Sequence, residues 1–286
     1  APQPGLVSWW PGDGNTNDIV GSNNGTLQNG AAFIDGKVGQ AFDLDGVDDF
    51  VQVSGFSSLA PQQFSVGAWV YARGTGYPFD AIGSVIVSKD LGWAHEPPFT
   101  SLMLSGPGIT GKFRAGIAIT DMNLQPVEGN PGNPTISSIN SFAFNQWHYA
   151  VMTWSGEILR LYVDGNFEVE LNLGPQTIVY TNDPLSIGRH NLDPGRPFNG
   201  IIDEVEVYNR ALSDAEIAAI YNAGSAGKCV PSSFTISVAA GSNGSISPSG
   251  IITVPNGGSQ TFTITPDTGY NVADVIVDGG SVGAVT

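Results

Sequence analysis

Short runs of branched and aromatic residues, each cut off by a turn dipeptide, recur along almost the whole of this 286-residue chain. They include Ala41–Leu44, Phe50–Val53, Phe64–Tyr71, Val85–Ser88, Leu102–Leu104, Phe113–Thr120, His148–Trp154, Leu159–Val163, Leu185–Ile187 and Ile201–Tyr208. Asn29-Gly30, Asp45-Gly46, Asp164-Gly165 and Asn199-Gly200 punctuate them. Runs this short cannot span a helical core element, and glycine after Asn or Asp supplies the positive φ that tight turns need. The chain is therefore expected to be all-β. Asp164-Gly165, set between Leu159–Val163 and Asn166–Leu171, reads as a type I′ hairpin.

One helix is expected. Ser213-Asp214-Ala215-Glu216 has the spacing of a capping box, Ile217, Ile220 and Tyr221 supply an apolar stripe, and Gly224 is placed to end it. Beyond it, residues 229–233 read as a linker, and the strands that follow are rich in Ser, Thr and Val. The expected division is 1–228 for a large β-domain, 229–233 for the linker and 234–286 for a small one.

Charged residues make up only 13% of the chain, and the formal charge is −16. Such a surface repels phosphate backbones and anionic lipid, which argues against nucleic acid and membrane as partners; it suits a hard cation such as calcium, and the other reading is that the charge only keeps an extracellular protein soluble. Cys229 is the only cysteine, so there is no internal disulfide framework, and with three histidines no zinc cluster assembles. No apolar run approaches the ~20 residues of a membrane helix. The opening Ala1-Pro2-Gln3-Pro4 reads as a mature, exported form.

An ordered set of motifs carries a family likeness. Gly5-Leu6-Val7-Ser8-Trp9-Trp10-Pro11-Gly12-Asp13-Gly14 is followed by Asn24-Gly25-Thr26-Leu27, Gly39-Gln40-Ala41-Phe42-Asp43-Leu44-Asp45-Gly46-Val47-Asp48-Asp49-Phe50-Val51 and Phe64-Ser65-Val66-Gly67-Ala68-Trp69-Val70. Gln146-Trp147-His148-Tyr149, Leu161-Tyr162-Val163-Asp164-Gly165 and the stretch from Phe198 to Ser213 complete it. Over residues 5–225 the chain resembles bacterial laminin-G-like (concanavalin A-like lectin/glucanase) domains. The resemblance implies a two-sheet antiparallel jelly-roll sandwich, often with calcium, that binds glycans or proteins in large secreted chains. The tail, through Gly241–Gly250, Thr265–Tyr270 and Val275–Gly279, resembles an incomplete internalin-type bacterial surface repeat. Such a copy is expected to leave an open strand edge and to lean on something else for stability.

Candidate ligands for calcium (Ca2+) follow. Simple alternation sets Asp203 on a strand face with Val205 and Val207, where a lone carboxylate is costly without a cation or a donor. Asp13, in the Gly12-Asp13-Gly14 turn, and the Asp45-Gly46 turn offer further oxygens, with Asp18 and Asn24 in reserve. The other reading of Asp203 is a hydrogen-bonded structural carboxylate. Trp10, Trp69, Trp147 and His148 are read as packing residues. For a bound glycan or extracellular protein, the loop residues Tyr77, Trp93, His95, Arg189, His190 and Arg196 combine aromatic faces with planar polar groups. The other reading is that these are ordinary loops folded back on the sandwich.

The function expected is non-catalytic recognition in a secreted or cell-surface bacterial protein, with self-association through the C-terminal β-segment as a further partner mode. The rival is a glycan-cleaving enzyme on the same sandwich, which would need two carboxylates about 5–5.5 Å apart. Glu204 and Glu206 share a face under simple alternation, but their surroundings do not match the Glu-x-Asp-x-x-Glu strand of laminarinase-like enzymes. A structural or filament subunit is a third reading.

Overall fold

The computed structural model describes residues 4–54, 62–74, 83–90, 99–104, 111–117, 119, 134–178, 184–190, 196–224, 233–255, 258–277 and 280–284. Two compact units divide it, Gln3–Lys228 and Cys229–Thr286.

The first unit is a jelly-roll sandwich of two antiparallel sheets, with strands numbered in chain order. One sheet holds β1 (Leu6–Trp10), β3 (Ala32–Asp35), β4 (Gln40–Asp45), β6 (Phe64–Ala72), β11 (Trp147–Trp154), β12 (Ile158–Val163), β13 (Asn166–Asn172) and β15 (Asn199–Tyr208). Its order is β13-β12-β11-β6-β15-β4-β3, and β1 pairs with the far half of β15. The other holds β2 (Gly25–Gln28), β5 (Phe50–Val53), β7 (Ser84–Asp90), β8 (Phe99–Leu104), β9 (Phe113–Gly116), β10 (Thr135–Ser137) and β14 (Leu185–Ile187), in the order β10-β9-β8-β7-β14-β5-β2.

Alternation decides what lies between the sheets. Phe64, Val66, Ala68, Val70 and Ala72 of β6 join Ala150, Met152 and Trp154 of β11, Phe42 and Leu44 of β4, and Val51, Ile86, Leu102 and Phe113 from the opposite sheet in one core. Each large side chain taken from water stabilises by roughly 1.5–3 kcal/mol before chain entropy is counted. Trp10 belongs to this core, as its apolar setting suggests.

The middle of the eight-stranded sheet is buried on its outer face as well. There α1 (Asp214–Ala223) supplies Ile217 and Ile220 to a second cluster with Trp69, Tyr149, Val151, Tyr162, Tyr208 and Leu212, against which Trp147 packs. The helix starts as its sequence requires: Ser213 accepts from the Glu216 N–H, and Glu216 accepts from the Ser213 N–H at 2.9 Å. Arg210 grips Glu216 with two bonds of 2.9 and 2.6 Å, and Gly224 ends the helix at φ +53°. Asp164 and Gly165 both have positive φ, the backbone of the expected hairpin turn.

β15 departs from simple alternation. Against β6, Asp203 pairs with Trp69 and Glu206 with Gly67, so Glu204 and Val205 together oppose Ala68. Glu204 sits at φ +53°. This β-bulge shifts the pattern by one residue. Ile202, Val205 and Val207 all face the inter-sheet core, while Asp203, Glu206 and Tyr208 lie on the outer side. Asp203 therefore does not share a face with the two valines, whereas strict period-two counting places it with them.

The second unit consists of three two-stranded antiparallel ladders. They are β16 (Ser233–Val238) with β18 (Gly250–Pro255), β17 (Gly244–Ser247) with β19 (Thr263–Pro266), and β20 (Val275–Val277) with β21 (Gly280–Gly283). Val254 is its only buried hydrophobic residue among the described residues.

Candidate functional site

The β4–β5 turn concentrates carboxylates at one end of the sandwich. Asp45 Oδ1 accepts the Val47 N–H at 2.7 Å and the Asp48 N–H at 3.4 Å, while Gly46 takes φ +81° to close the turn. Asp49 is buried, and its two oxygens accept from the N–H of Gly30 at 2.6 Å and of Asp45 at 3.0 Å, tying the β2–β3 turn to this one. Asp45 and Asp48 are exposed, and carboxylate oxygens of Asp45, Asp48 and Asp49 come within 4.8 Å of one another. Among the described residues no other group of three potential metal-binding side chains gathers this closely.

Arg189 approaches the same turn. Its Nη1 donates to the Asp48 carbonyl at 3.3 Å, and its guanidinium carbon lies 5.2 Å from the centre of the Phe50 ring, a cation–π arrangement. The Asn29 amide donates to the same Asp48 carbonyl at 2.5 Å. An aromatic face, a planar cation and carboxylates thus meet at the rim.

The remaining expected calcium ligands are dispersed. Asp13 Oδ1 accepts the Gln40 N–H at 2.8 Å and so holds the β3–β4 turn. Asp18 organises its own loop, accepting from the N–H groups of Trp9, Val20, Gly21 and Asn23, while Asn24 Oδ1 accepts from the Asp18 N–H. Asp203 is completely buried beneath the β3–β4 turn, where Oδ2 accepts the Val38 N–H at 2.9 Å. Burial pushes its carboxyl up to about 8; the N–H groups of Val38, Glu204 and Lys37 oppose that rise and the charge of Glu204 adds to it. Asp203 and Asp18 are buried, whereas Asp45 and Asp48 are exposed and grouped with Asp49, the accessible cluster of oxygens that calcium takes.

Of the loop residues expected to meet a ligand, Tyr77, Trp93 and His95 lie outside the described residues. Arg189 reaches the rim, and His190 and Arg196 are both buried. Two features escaped the sequence reading. Thr26, Gln52, Ser186, Ser88, Ser101, Gly116 and Thr135 form one register row across the outer face of the seven-stranded sheet. Ser88, Ser101 and Ser186 are buried, and Arg114 in the next row donates to Thr135 Oγ1 at 3.2 Å. Serines spaced among apolar strand residues were the available signal. The other feature is the setting of Glu206, a residue the sequence reading weighed only as a partner of Glu204: it is fully buried and accepts from the hydroxyls of Tyr149 and Tyr208. Burial first, then the Glu206 charge, raises both tyrosine hydroxyls well above their usual range.

A family profile described as the concanavalin A-like lectin/glucanases superfamily, laminin-G type, matches residues 45–218. The chain belongs to this superfamily. No curated protein matches it. Among solved structures, domain 4 of an extracellular arabinanase from Geobacillus stearothermophilus, in complex with arabinotriose, is similar at 18% identity and a TM-score of 0.58, covering 75% of this chain and 97% of that one. The binding domain of paraclostridial mosquitocidal protein 1 follows at 15% and 0.57, covering 77% of this chain and 52% of that one. A Trypanosoma rangeli sialidase follows at 17% and 0.52, covering 78% of this chain and 33% of that one. At these identities the shared property is the sandwich itself. Concanavalin-like sandwiches thus stand both as binding domains and within enzyme chains, and function has to be argued from this chain's own side chains.

Proposed function

We propose that this concanavalin-like sandwich is a non-catalytic glycan-recognition module of a secreted or cell-surface bacterial protein, with a structural calcium ion at the β4–β5 turn. The observation that carries the reading is the rim, where Arg189 lies over Phe50 beside the grouped carboxylates of Asp45, Asp48 and Asp49. Asp45, Asp48 and Asp49 would hold the ion, which would supply positive charge and open coordination positions for sugar hydroxyls. The 45–49 turn needs no imidazole or sulfur for this. The complex of the similar arabinanase domain with arabinotriose favours a glycan over a protein partner. The tail is read as a partial bacterial surface repeat on its residue pattern.

The non-catalytic part rests on the carboxylates of β15. Glu204 and Glu206 are both buried, and Glu206 is engaged by two tyrosine hydroxyls. A glycosidase needs its pair open to the scissile bond.

A glycan array run with calcium and with chelator tests the reading. Binding of defined oligosaccharides, reduced by chelation and by Arg189→Ala, is expected. No binding in either arm would refute it, as would polysaccharide turnover that Glu204→Gln or Glu206→Gln abolishes. If the Trp93 ring also stacks on sugar, Trp93→Ala costs roughly 1–3 kcal/mol of affinity.

A further inference from the structure

The C-terminal unit exposes what a stable domain hides. Six of the eleven exposed large hydrophobic residues among the described residues lie in it: Ile236, Ile251, Tyr270, Ile276, Val277 and Val282. Two-stranded ladders are at best marginally stable alone, and units this small commonly supplement their core with a disulfide, a metal or oligomerisation.

Its longest ladder also has an unguarded edge. β16 pairs with β18 through six consecutive residues, from Ser233↔Pro255 to Val238↔Gly250, without a register shift. No strand pairs with its other side among the described residues. Edges are normally protected by charge, proline or a bulge, and Ser233-Phe234-Thr235-Ile236-Ser237-Val238 has none of these.

We infer that β16 is a homodimerisation edge, pairing antiparallel with β16 of a second copy about a two-fold axis through Ile236. Among the registers that keep like against like, this one sets all three apolar residues of the strand opposite apolar residues of the strand, whereas an axis on Thr235 would set Val238 against Ser232. With Ile236 opposite Ile236 of the partner copy, Phe234 stands opposite Val238 and Thr235 opposite Ser237, so apolar positions meet apolar and hydroxyls meet hydroxyls. A slip of one residue sets Phe234 against Ser237 and breaks both rows. The result is an isologous four-stranded sheet.

Charge selects a second copy as the occupant. From Cys229 to Thr286 there is no Lys, Arg, His or Glu, only Asp267, Asp274 and Asp278, while the rest of the chain carries −13 of the formal −16. Two copies repel each other over the sandwich and approach most easily through this nearly neutral unit. The pairing does not depend on the glycan reading; only its consequence, two sandwiches acting with avidity, rests on it.

Sedimentation equilibrium of the full chain, in chelator and without glycan, tests the pairing. The mass should rise with concentration from 29.8 kDa to twice that value. Ile236→Lys, which sets like charges together on the axis, should return it to monomer, whereas Ile251→Lys, on β18, should leave the dimer intact. In a Cys229→Ser background, Ile236→Cys should cross-link on oxidation, because directly opposed antiparallel residues lie about 4.5–5.5 Å apart at Cα. Thr235→Cys, opposite Ser237, should not. A monomer at every concentration, assembly beyond a dimer, a dimer indifferent to Ile236→Lys, or equal cross-linking by the two cysteine variants would each overturn the assignment.

Discussion

Two acidic stretches of the sandwich, Asp45–Asp49 and Asp203–Glu206, use the same side chains in opposite ways. In the first, backbone N–H groups occupy Asp49 and one oxygen of Asp45, while Asp45 and Asp48 face water and gather with Asp49 within 4.8 Å. In the second, all three acidic residues are buried, Asp203 under the amides of the β3–β4 turn and Glu206 under two tyrosine hydroxyls. Exposure leaves charge available to a cation or a ligand. Burial turns it into internal structure, because a desolvated carboxylate must be protonated or surrounded by donors. Carboxylate count alone therefore says little about where an ion binds.

The contrast can be broken experimentally, and the largest effect belongs to Glu206. Glu206→Ala removes the acceptor shared by Tyr149 and Tyr208 and leaves both buried hydroxyls without it; urea unfolding should show a loss of about 3–5 kcal/mol. Gly67 is part of the same arrangement, since a Cβ there would come within 2.9 Å of both Glu206 Oε1 and the Tyr149 hydroxyl.

Asp203 should reveal itself through pH. Its folded carboxyl keeps the proton up to about 8, whereas the unfolded chain releases it near the ordinary value of 3.8. Between those values the folded state holds more protons, so this residue's contribution to stability declines as pH rises and levels off above about 8. Asp203→Asn keeps an acceptor for Val38 without the charge. It should flatten that decline, matching the parent near pH 4 and exceeding it at pH 8 by a few kcal/mol in melts across the range.

Calcium sharpens the comparison further. With free calcium ~100-fold above the dissociation constant, binding stabilises by about 2.7 kcal/mol. Chelation should therefore lower the melting temperature, and a paired Asp45→Asn, Asp48→Asn variant should abolish that shift. Asp203→Asn should retain it. If instead Asp203→Asn removes the shift, the assignment of the two stretches is reversed.

The smallest effect is expected at Arg189. Its contact with Phe50 is worth about 0.5–1 kcal/mol at an exposed site. A double-mutant cycle with Phe50→Leu and Arg189→Ala should return coupling of that size, and no coupling would mean that the guanidinium is not held over the ring.

Local signals account for much of what could be read beforehand. Ser213, Glu216 and Gly224 bracket the helix because a cap is made by residues three apart, and Asp164-Gly165 turns its hairpin because the dihedral requirement lies within the dipeptide. The rim was half legible: the Asp45-Gly46 turn and Arg189 were both singled out, but not their meeting, since residues 48 and 189 are joined only by the pairing of β5 with β14. The face assignment of Asp203 missed for a definite reason. A bulge is defined by two residues opposing one on a neighbouring strand, and β6 is far from β15 in sequence.

The sequence by itself determined the all-β architecture, the turn positions, the single capped helix and the acidic, charge-poor surface, because these depend on dihedral preference, alternation and composition. Tertiary structure alone decided which carboxylates are buried. Asp203 and Glu206 are distinguished from Asp45 and Asp48 by the β3–β4 turn above one, the tyrosines against another and open solvent beside the rest. The energy of a carboxylate is set by what lies within a few ångströms of it, and only folding brings Val38, Tyr149 and Arg189 there.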